Sequence, residues 1–121
     1  PAPQQFSLAK SYPGFAPLGP ALVTPDELDD PDDLEISCAI GDQTVQKART
    51  SDLIFTVPFL VSYLSGILPL LPGDLIFTGT PSGIGYALNP QRYLRDGEQL
   101  ITCIEGIGTM RNRMVSAGGT R

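Results

Sequence analysis

Lys10, one of two lysines in the chain, is the first side chain whose type and setting could support chemistry. It stands in an apolar stretch between small residues, and two interpretations remain open. It is a surface lysine whose aliphatic stem covers apolar neighbours, or it is a cation that stabilises a carboxylate or a developing enolate. The residue types alone do not decide between them.

A second candidate is the glycine-rich run of residues 78–85, which follows an apolar segment at 75–77 that is predicted to be a strand. Its glycine spacing matches neither the dinucleotide-binding loop nor the P-loop. It also differs from the nucleophile elbow of serine hydrolases. A tight loop whose glycines supply positive φ angles is favoured over nucleotide binding. As a third possibility, the backbone amides and the hydroxyls of Thr78, Thr80 and Ser82 could bind a small carboxylate.

The 121 residues contain no histidine and two cysteines, Cys38 and Cys103. A histidine-activated nucleophile, a histidine general base and a histidine-ligated zinc are therefore excluded within this chain. Each cysteine lies in a strand-like apolar run, so we predict buried free thiols in a reducing compartment rather than a disulfide. For metals, this leaves hard ions such as Mg²⁺ or Ca²⁺ with oxygen ligands.

The net charge of −5 is concentrated, because seven of the thirteen acidic residues lie in residues 26–35. This segment lacks the glycine and the final glutamate of a calcium-binding loop, so a solvated surface turn is predicted. The lysines and arginines form no stripe, which argues against nucleic acid as a partner. No apolar run is long enough to span a membrane and no signal pattern is present, so a soluble cytoplasmic protein is expected.

Proline and glycine spacing predicts irregular structure over residues 6–23. One helical turn with a capping box is predicted at 24–27, where Thr24 would be the N-cap and Glu27 its partner. Residues 34–48 alternate around Gly41-Asp42, as expected for a hairpin.

The apolar stripe of Val57, Leu60, Val61 and Leu64 predicts an amphipathic helix that Thr56 caps and Gly66 ends. Beyond a turn at Asp96-Gly97, residues 99–105 and 107–115 are predicted to be strands.

Several stretches, taken together, resemble the fumarylacetoacetate hydrolase (FAH) family. They are LAKSY at 8–12, GFAPLGP at 14–20, residues 46–55 ending in SDLIF, PGDLIFTGTPSGIG at 72–85 and IEGIGT at 104–109. The resemblance covers residues 6–115 of a single segment, 1–121, whose residues 116–121 are expected to be a frayed tail. It implies the C-terminal part of a catalytic domain. The implied fold is mainly β (α+β), a mixed β-sandwich roll with one amphipathic helix and short helical turns.

The resemblance also implies a Mg²⁺- or Mn²⁺-dependent hydrolase, isomerase or decarboxylase that acts on 2-oxo or β-dicarbonyl acids. The expected substrates are of the fumarylacetoacetate or 2-hydroxyhepta-2,4-diene-1,7-dioate type, from aromatic catabolism. A homodimer is expected, with the apolar run 67–71 as a buried or interface surface. The alternative is a catalytically inactive scaffold that binds small acids.

By resemblance, Lys10 is the active-site lysine and contacts substrate, Thr80 binds the substrate carboxylate, and Gly79 lines the same pocket. The family's metal ligands, a Glu-x-Glu pair and an aspartate, are expected upstream of Lys10. No metal ligand is therefore assigned within this chain, and the fragment alone is expected to be inactive. Pro13 stands where the family usually has an aspartate near the lysine.

Overall fold

The computed structural model describes residues 5–116. Its central element is a four-stranded antiparallel sheet, formed by β1 (Glu35–Ile40), β2 (Gln43–Arg49), β3 (Gln99–Ile104) and β4 (Gly108–Arg113). The strand order across the sheet is β2-β1-β3-β4. The predicted mainly β, α+β fold class is confirmed. Of the expected frayed tail, residues 117–121 lie outside the described residues.

The predicted β1–β2 hairpin forms around Gly41, whose φ of +56° suits a two-residue turn that begins with glycine. The predicted turn before β3 is also present, and its Gly97 has a φ of +82°. β3 and β4 pair with each other, as two neighbouring antiparallel strands. β4 is shorter at both ends than the predicted 107–115.

One irregularity in the β1–β2 pairing changes the face that a polar side chain occupies. Thr44 pairs with Ala39, whereas Gln46 pairs with Cys38, so Val45 is an extra residue in β2. Because side chains alternate between faces along a strand, one extra residue reverses the facing of those beyond it. This β-bulge therefore places Gln46 on the same face as Cys38.

The register gives the sheet two chemically distinct faces. We call one the apolar face; it carries Ile36, Cys38, Leu100, Thr102, Ile104 and Met110, together with Gln46. We call the other the charged face; it carries Glu35, Ser37, Lys47, Arg49 and Cys103. From Glu35 to Cys38, β1 alternates polar and apolar residues, as is typical of antiparallel sheets. Ala39 and Ile101 depart from this pattern and add apolar side chains to the charged face.

On the charged face, Arg49 joins segments that are distant in sequence. Its Nε donates to Asp33 Oδ1 at 2.6 Å, and its Nη2 lies 3.3 Å from Glu105 Oε2. The same Glu105 oxygen accepts the backbone N–H of Glu35 at 2.9 Å. The Ser51 hydroxyl donates to Asp33 Oδ1 at 2.7 Å. The five acidic residues between positions 26 and 32 are exposed, as predicted, whereas Asp33 and Glu35 are half-buried. The Asp33 carboxylate also holds the end of β2.

The predicted amphipathic helix is confirmed as α2 (Val57–Ser65), and Thr56 Oγ1 accepts the N–H of Phe59 at 3.4 Å. A shorter helix, α1, spans Phe6–Lys10. The prediction of irregular structure over residues 6–23 is therefore wrong for its first five residues. The reason is positional: the helix-breaking Pro13 and the glycines lie beyond the end of α1.

Two further predictions need correction. The helical turn at Pro25–Glu27 is present as a 3₁₀ turn, but the Thr24 side chain does not cap it, and Glu27 N–H bonds to the Thr24 carbonyl instead. Residues 75–77 are not a strand, because they join no ladder among the described residues. An apolar run predicts a strand only if another strand lies beside it.

Few apolar side chains are buried among the described residues. Leu34, which is 8% exposed, is the one apolar side chain that is buried within residues 5–116. Ile67, Leu68 and Leu71 of the expected interface run are all exposed, and the homodimer stays a prediction. Between residues 5 and 116, none of the helices is both long enough and apolar enough to cross a membrane.

The Arg49 cluster predicts a pH-dependent stability. The guanidinium of Arg49 and the hydroxyl of Ser51 hold the pKa of the Asp33 carboxyl below its ordinary value of 3.8. The folded-state pKa is therefore lower than the unfolded one. The contribution of ionised Asp33 to stability is present above the unfolded pKa and is lost as pH falls through the folded pKa. In urea unfolding of the complete gene product, Asp33→Asn should be less stable than wild type at neutral pH, and the difference should shrink in acid.

Asp29→Asn is the matched control, because Asp29 belongs to the same acidic segment and forms no ion pair with another described residue. Its unfolding midpoint should follow that of wild type. An Asp33→Asn deficit of the same size at every pH would contradict the role assigned to the Asp33 charge.

Candidate functional site

A cavity of about 320 Å³ lies over the apolar face of the sheet. Strand side chains form its floor: Ile36, Cys38, Leu100, Thr102, Ile104 and Met110. Its rim is formed by Gly19, Pro20, Gln46, Gly79, Thr80 and Pro81. The lining is mostly apolar with a few polar groups at the rim, which is the usual composition of a small-molecule site.

The glycine-rich run reaches this rim because it packs directly on the edge strand β2. Gly83 has a φ of +100°, and a Cβ built on it would lie 2.0 Å from the carbonyl oxygen of Val45. Gly79 has a φ of +106°. The prediction of a tight loop with positive-φ glycines is confirmed at these two positions. Glycine is required at position 83 for a second reason, because a side chain there would collide with the backbone of the bulge.

Gln46 joins the run to the sheet through its side-chain amide. Its Nε2 donates to Thr80 Oγ1 at 2.9 Å and to the carbonyl oxygen of Pro81 at 2.8 Å. The sequence interpretation did not single out Gln46. The sequence offers two glutamines in β2, Gln43 and Gln46, and the bulge that turns the second toward the cavity is not visible in it.

Of the three candidate hydroxyls, the structure places that of Thr80 at the cavity, beside Gly79. All three threonine and serine residues are exposed, but Thr78 and Ser82 do not belong to the cavity lining. The rim therefore combines one side-chain hydroxyl with exposed loop backbone. Such a combination can bind a small anion through hydrogen bonds.

Lys10 lies elsewhere. It is the last residue of α1, it is exposed, and it does not line the cavity. The chain then turns at Pro13-Gly14, where the Phe15 N–H bonds to the Tyr12 carbonyl at 3.0 Å and Gly14 has a φ of +81°. Proline followed by a positive-φ glycine is typical of a type II turn. Pro13 thus makes the turn that follows Lys10 rigid, and the catalytic role of Lys10 stays a prediction.

Both cysteines are free, in agreement with the sequence, but they are half-buried rather than buried. Cys38 belongs to the cavity floor, and burial raises the pKa of its thiol. It is therefore a neutral side chain at ordinary pH. Cys103, on the charged face, accepts a hydrogen bond from the Thr109 hydroxyl at 3.2 Å.

The contact between the loop and β2 can be tested at Gly83. Gly83→Ala places a methyl group against the Val45 carbonyl, so the loop must move away from Gln46. Gly73→Ala is the matched control, since Gly73 has a φ of +97° but nothing within 4 Å of the added Cβ. Both variants should lose about 1–2 kcal/mol through the left-handed backbone. Gly83→Ala should lose more, and amides 79–83 should exchange faster. Equal losses and unchanged exchange would contradict the close approach.

The chain matches the sequence model described as "Fumarylacetoacetate (FAA) hydrolase C-terminal" over residues 1–115. It is 38% identical over 112 residues to the mitochondrial oxaloacetate tautomerase Fahd2a of Rattus norvegicus, a match that covers 93% of this chain and 36% of the rat protein.

Two solved structures are also similar. A Mycobacterium smegmatis protein assigned as HpcE superposes with a TM-score of 0.91 and 58% identity, covering 96% of this chain and 42% of that one. Maleylpyruvate hydrolase from Sphingobium sp. SYK-6, solved with manganese (II) and pyruvate, has a TM-score of 0.75 and 35% identity, covering 84% and 36%. The chain thus spans well under half the length of these relatives, and it belongs to the fumarylacetoacetate hydrolase family.

Proposed function

We propose that this chain provides the carboxylate-binding side of a hydrolase or isomerase that acts on 2-oxo or β-dicarbonyl acids. The observation that carries the proposal is the Thr80 hydroxyl, held at the rim of the cavity beside the backbone of Gly79. The family supports it, because oxaloacetate and maleylpyruvate, named for two of the relatives, are both 2-oxo acids.

The arrangement at the rim suits one end of such an acid. The Thr80 hydroxyl can donate a hydrogen bond to a carboxylate oxygen, and the Gly79 backbone can approach closely because it carries no side chain. The apolar floor lies directly beside them. A hydrogen bond to a charged oxygen is stronger than one between neutral groups. Thr80 and Gly79 would therefore bind and orient the substrate rather than react with it.

Lys10 is proposed as the group that stabilises negative charge on the reacting part of the substrate. An ammonium group fixed near a developing enolate lowers its energy. Because Lys10 lies outside the cavity lining, this role would require the substrate to extend from the rim toward α1. The proposed substrate is therefore an extended diacid of the fumarylacetoacetate or 2-hydroxyhepta-2,4-diene-1,7-dioate type, from aromatic catabolism.

A divalent metal belongs to the proposal through the family. Mg²⁺ or Mn²⁺ supplies Lewis-acid stabilisation of an oxo-acid enolate when it is bound. Within residues 5–116, no three acidic, cysteine or histidine side chains come together as a metal site. The described residues therefore do not fit a metal centre by themselves. We propose that the ligands lie outside them, and the manganese-bound relative supports metal use.

The activity is tested by assaying the complete gene product with acylpyruvates, oxaloacetate and hydroxymuconate-type dienes in the presence of Mg²⁺ or Mn²⁺. We expect turnover of at least one of them, lost with EDTA and restored by the metal. Binding of these acids without turnover would favour the alternative, a small-acid-binding scaffold, for which the position of Lys10 outside the cavity is the supporting observation.

The two lysines of the chain offer a matched pair for testing Lys10. Lys10→Ala should lower kcat/KM of the complete gene product by about two to four orders of magnitude, the scale of removing one preorganised charge. Lys47→Ala removes a lysine whose Nζ lies 3.1 Å from Glu35 Oε2 on the charged face, away from the cavity, and should leave kcat/KM unchanged. Similar kinetics for wild type and Lys10→Ala would show that Lys10 is only a surface lysine.

A further inference from the structure

Gln46 reaches the candidate site only because of the bulge in β2. Gln43 pairs with Ile40, which lies two residues after Cys38 and therefore on the apolar face. Regular alternation from Gln43 would put Gln46 on the charged face. The extra residue, Val45, shifts the alternation by one, and Gln46 pairs with Cys38 instead. A half-buried amide therefore stands among apolar side chains, at the edge of the cavity.

The partners of this amide determine its orientation. A backbone carbonyl can only accept hydrogen bonds, so the group 2.8 Å from the Pro81 oxygen must be the amide nitrogen and not the amide oxygen. The same nitrogen lies 2.9 Å from Thr80 Oγ1. Its two hydrogens are thus shared between Pro81 and Thr80, and Thr80 Oγ1 is the acceptor of the second one.

This fixes the direction in which the Thr80 hydroxyl can act. One lone pair of its oxygen is engaged by the Gln46 N–H, and its own hydrogen is left to point elsewhere. Thr80 lines the cavity, so an acceptor placed there receives that hydrogen. An oxygen without a proton of its own, such as that of a carboxylate, is the complementary partner.

We propose that Gln46 is a positioning residue that orients the Thr80 hydroxyl as a hydrogen-bond donor to the substrate carboxylate. The inference rests on the proposed function, because it concerns the same cavity. It adds that the selectivity for an anionic oxygen is set in β2, and not only in the glycine-rich run. Gln46 acts through Thr80 and contacts no reacting atom.

The test is a double-mutant cycle in the complete gene product, with KM and kcat measured separately. Gln46→Met keeps the length of the side chain and removes both donors. We expect it to raise KM about tenfold, the scale of one hydrogen bond to a charged group, with kcat changed by less than about threefold. In the Thr80→Val background the same substitution should change KM by less than about twofold, because the hydroxyl that it orients is gone.

Gln46→Glu supplies a second readout that a merely structural role would not move. The carboxylate introduced by this substitution would, once ionised, accept the Thr80 hydrogen and repel the substrate carboxylate, so KM should rise with pH as it ionises. KM of Gln46→Met should show no such additional rise. Gln43→Met, on the same strand but outside the cavity lining, should match wild type.

The outcomes separate the two ideas. Independent effects of Gln46→Met and Thr80→Val, together with a Gln46→Glu profile that matches wild type, would overturn the positioning role while the proposed function stands. Wild-type protein that neither turns over nor binds an oxo acid would overturn the proposed function, and the positioning role with it. If Gln46→Met fails to fold, the pH dependence of KM in Gln46→Glu decides between support and rejection.

Discussion

The extra residue in β2 is the constraint on which the candidate site depends. Side chains of a strand alternate strictly, so a single inserted residue, Val45, decides which face Gln46 occupies. The same insertion presents the Val45 carbonyl to Gly83, where no side chain larger than hydrogen fits. Both contacts between the glycine-rich run and the sheet, the amide of Gln46 and the close approach of Gly83, therefore arise at neighbouring residues of one irregular strand.

The two faces of the sheet serve different purposes. On the charged face, the Arg49 cluster joins the segment before β1, the end of β2 and the end of β3. These groups are exposed, and exposed ion pairs contribute little individually. Their value is geometric, since they hold strand ends in register. The apolar face, by contrast, forms the cavity floor and supplies one amide to the rim. The charged face thus fixes the ends of the strands, and the apolar face forms the candidate binding surface.

The elements were predictable where local rules apply, and the contacts were not. The hairpin at Gly41 and the helix capped by Thr56 follow from turn chemistry and apolar periodicity, which act over a few residues. The prediction of a strand at 75–77 was wrong because a strand needs a partner strand, which can be far away in the sequence. Gln46 was missed for a related reason, since a bulge depends on how two strands align. The resemblance indicated Thr80 and Gly79, which line the cavity, but it did not indicate the Gln46 hydrogen bond that holds Thr80.

Cys38 gives the cavity floor a further property. A thiol reacts with electrophiles as its thiolate, and burial, which raises the pKa of Cys38, keeps that form scarce. Unsaturated dicarbonyl acids, the substrate type proposed here, are themselves alkylating agents toward thiolates. A cysteine beside such molecules would become a target for irreversible modification if it ionised readily. Because its half-buried position on β1 keeps the thiol protonated, Cys38 can line the cavity without being alkylated by such compounds.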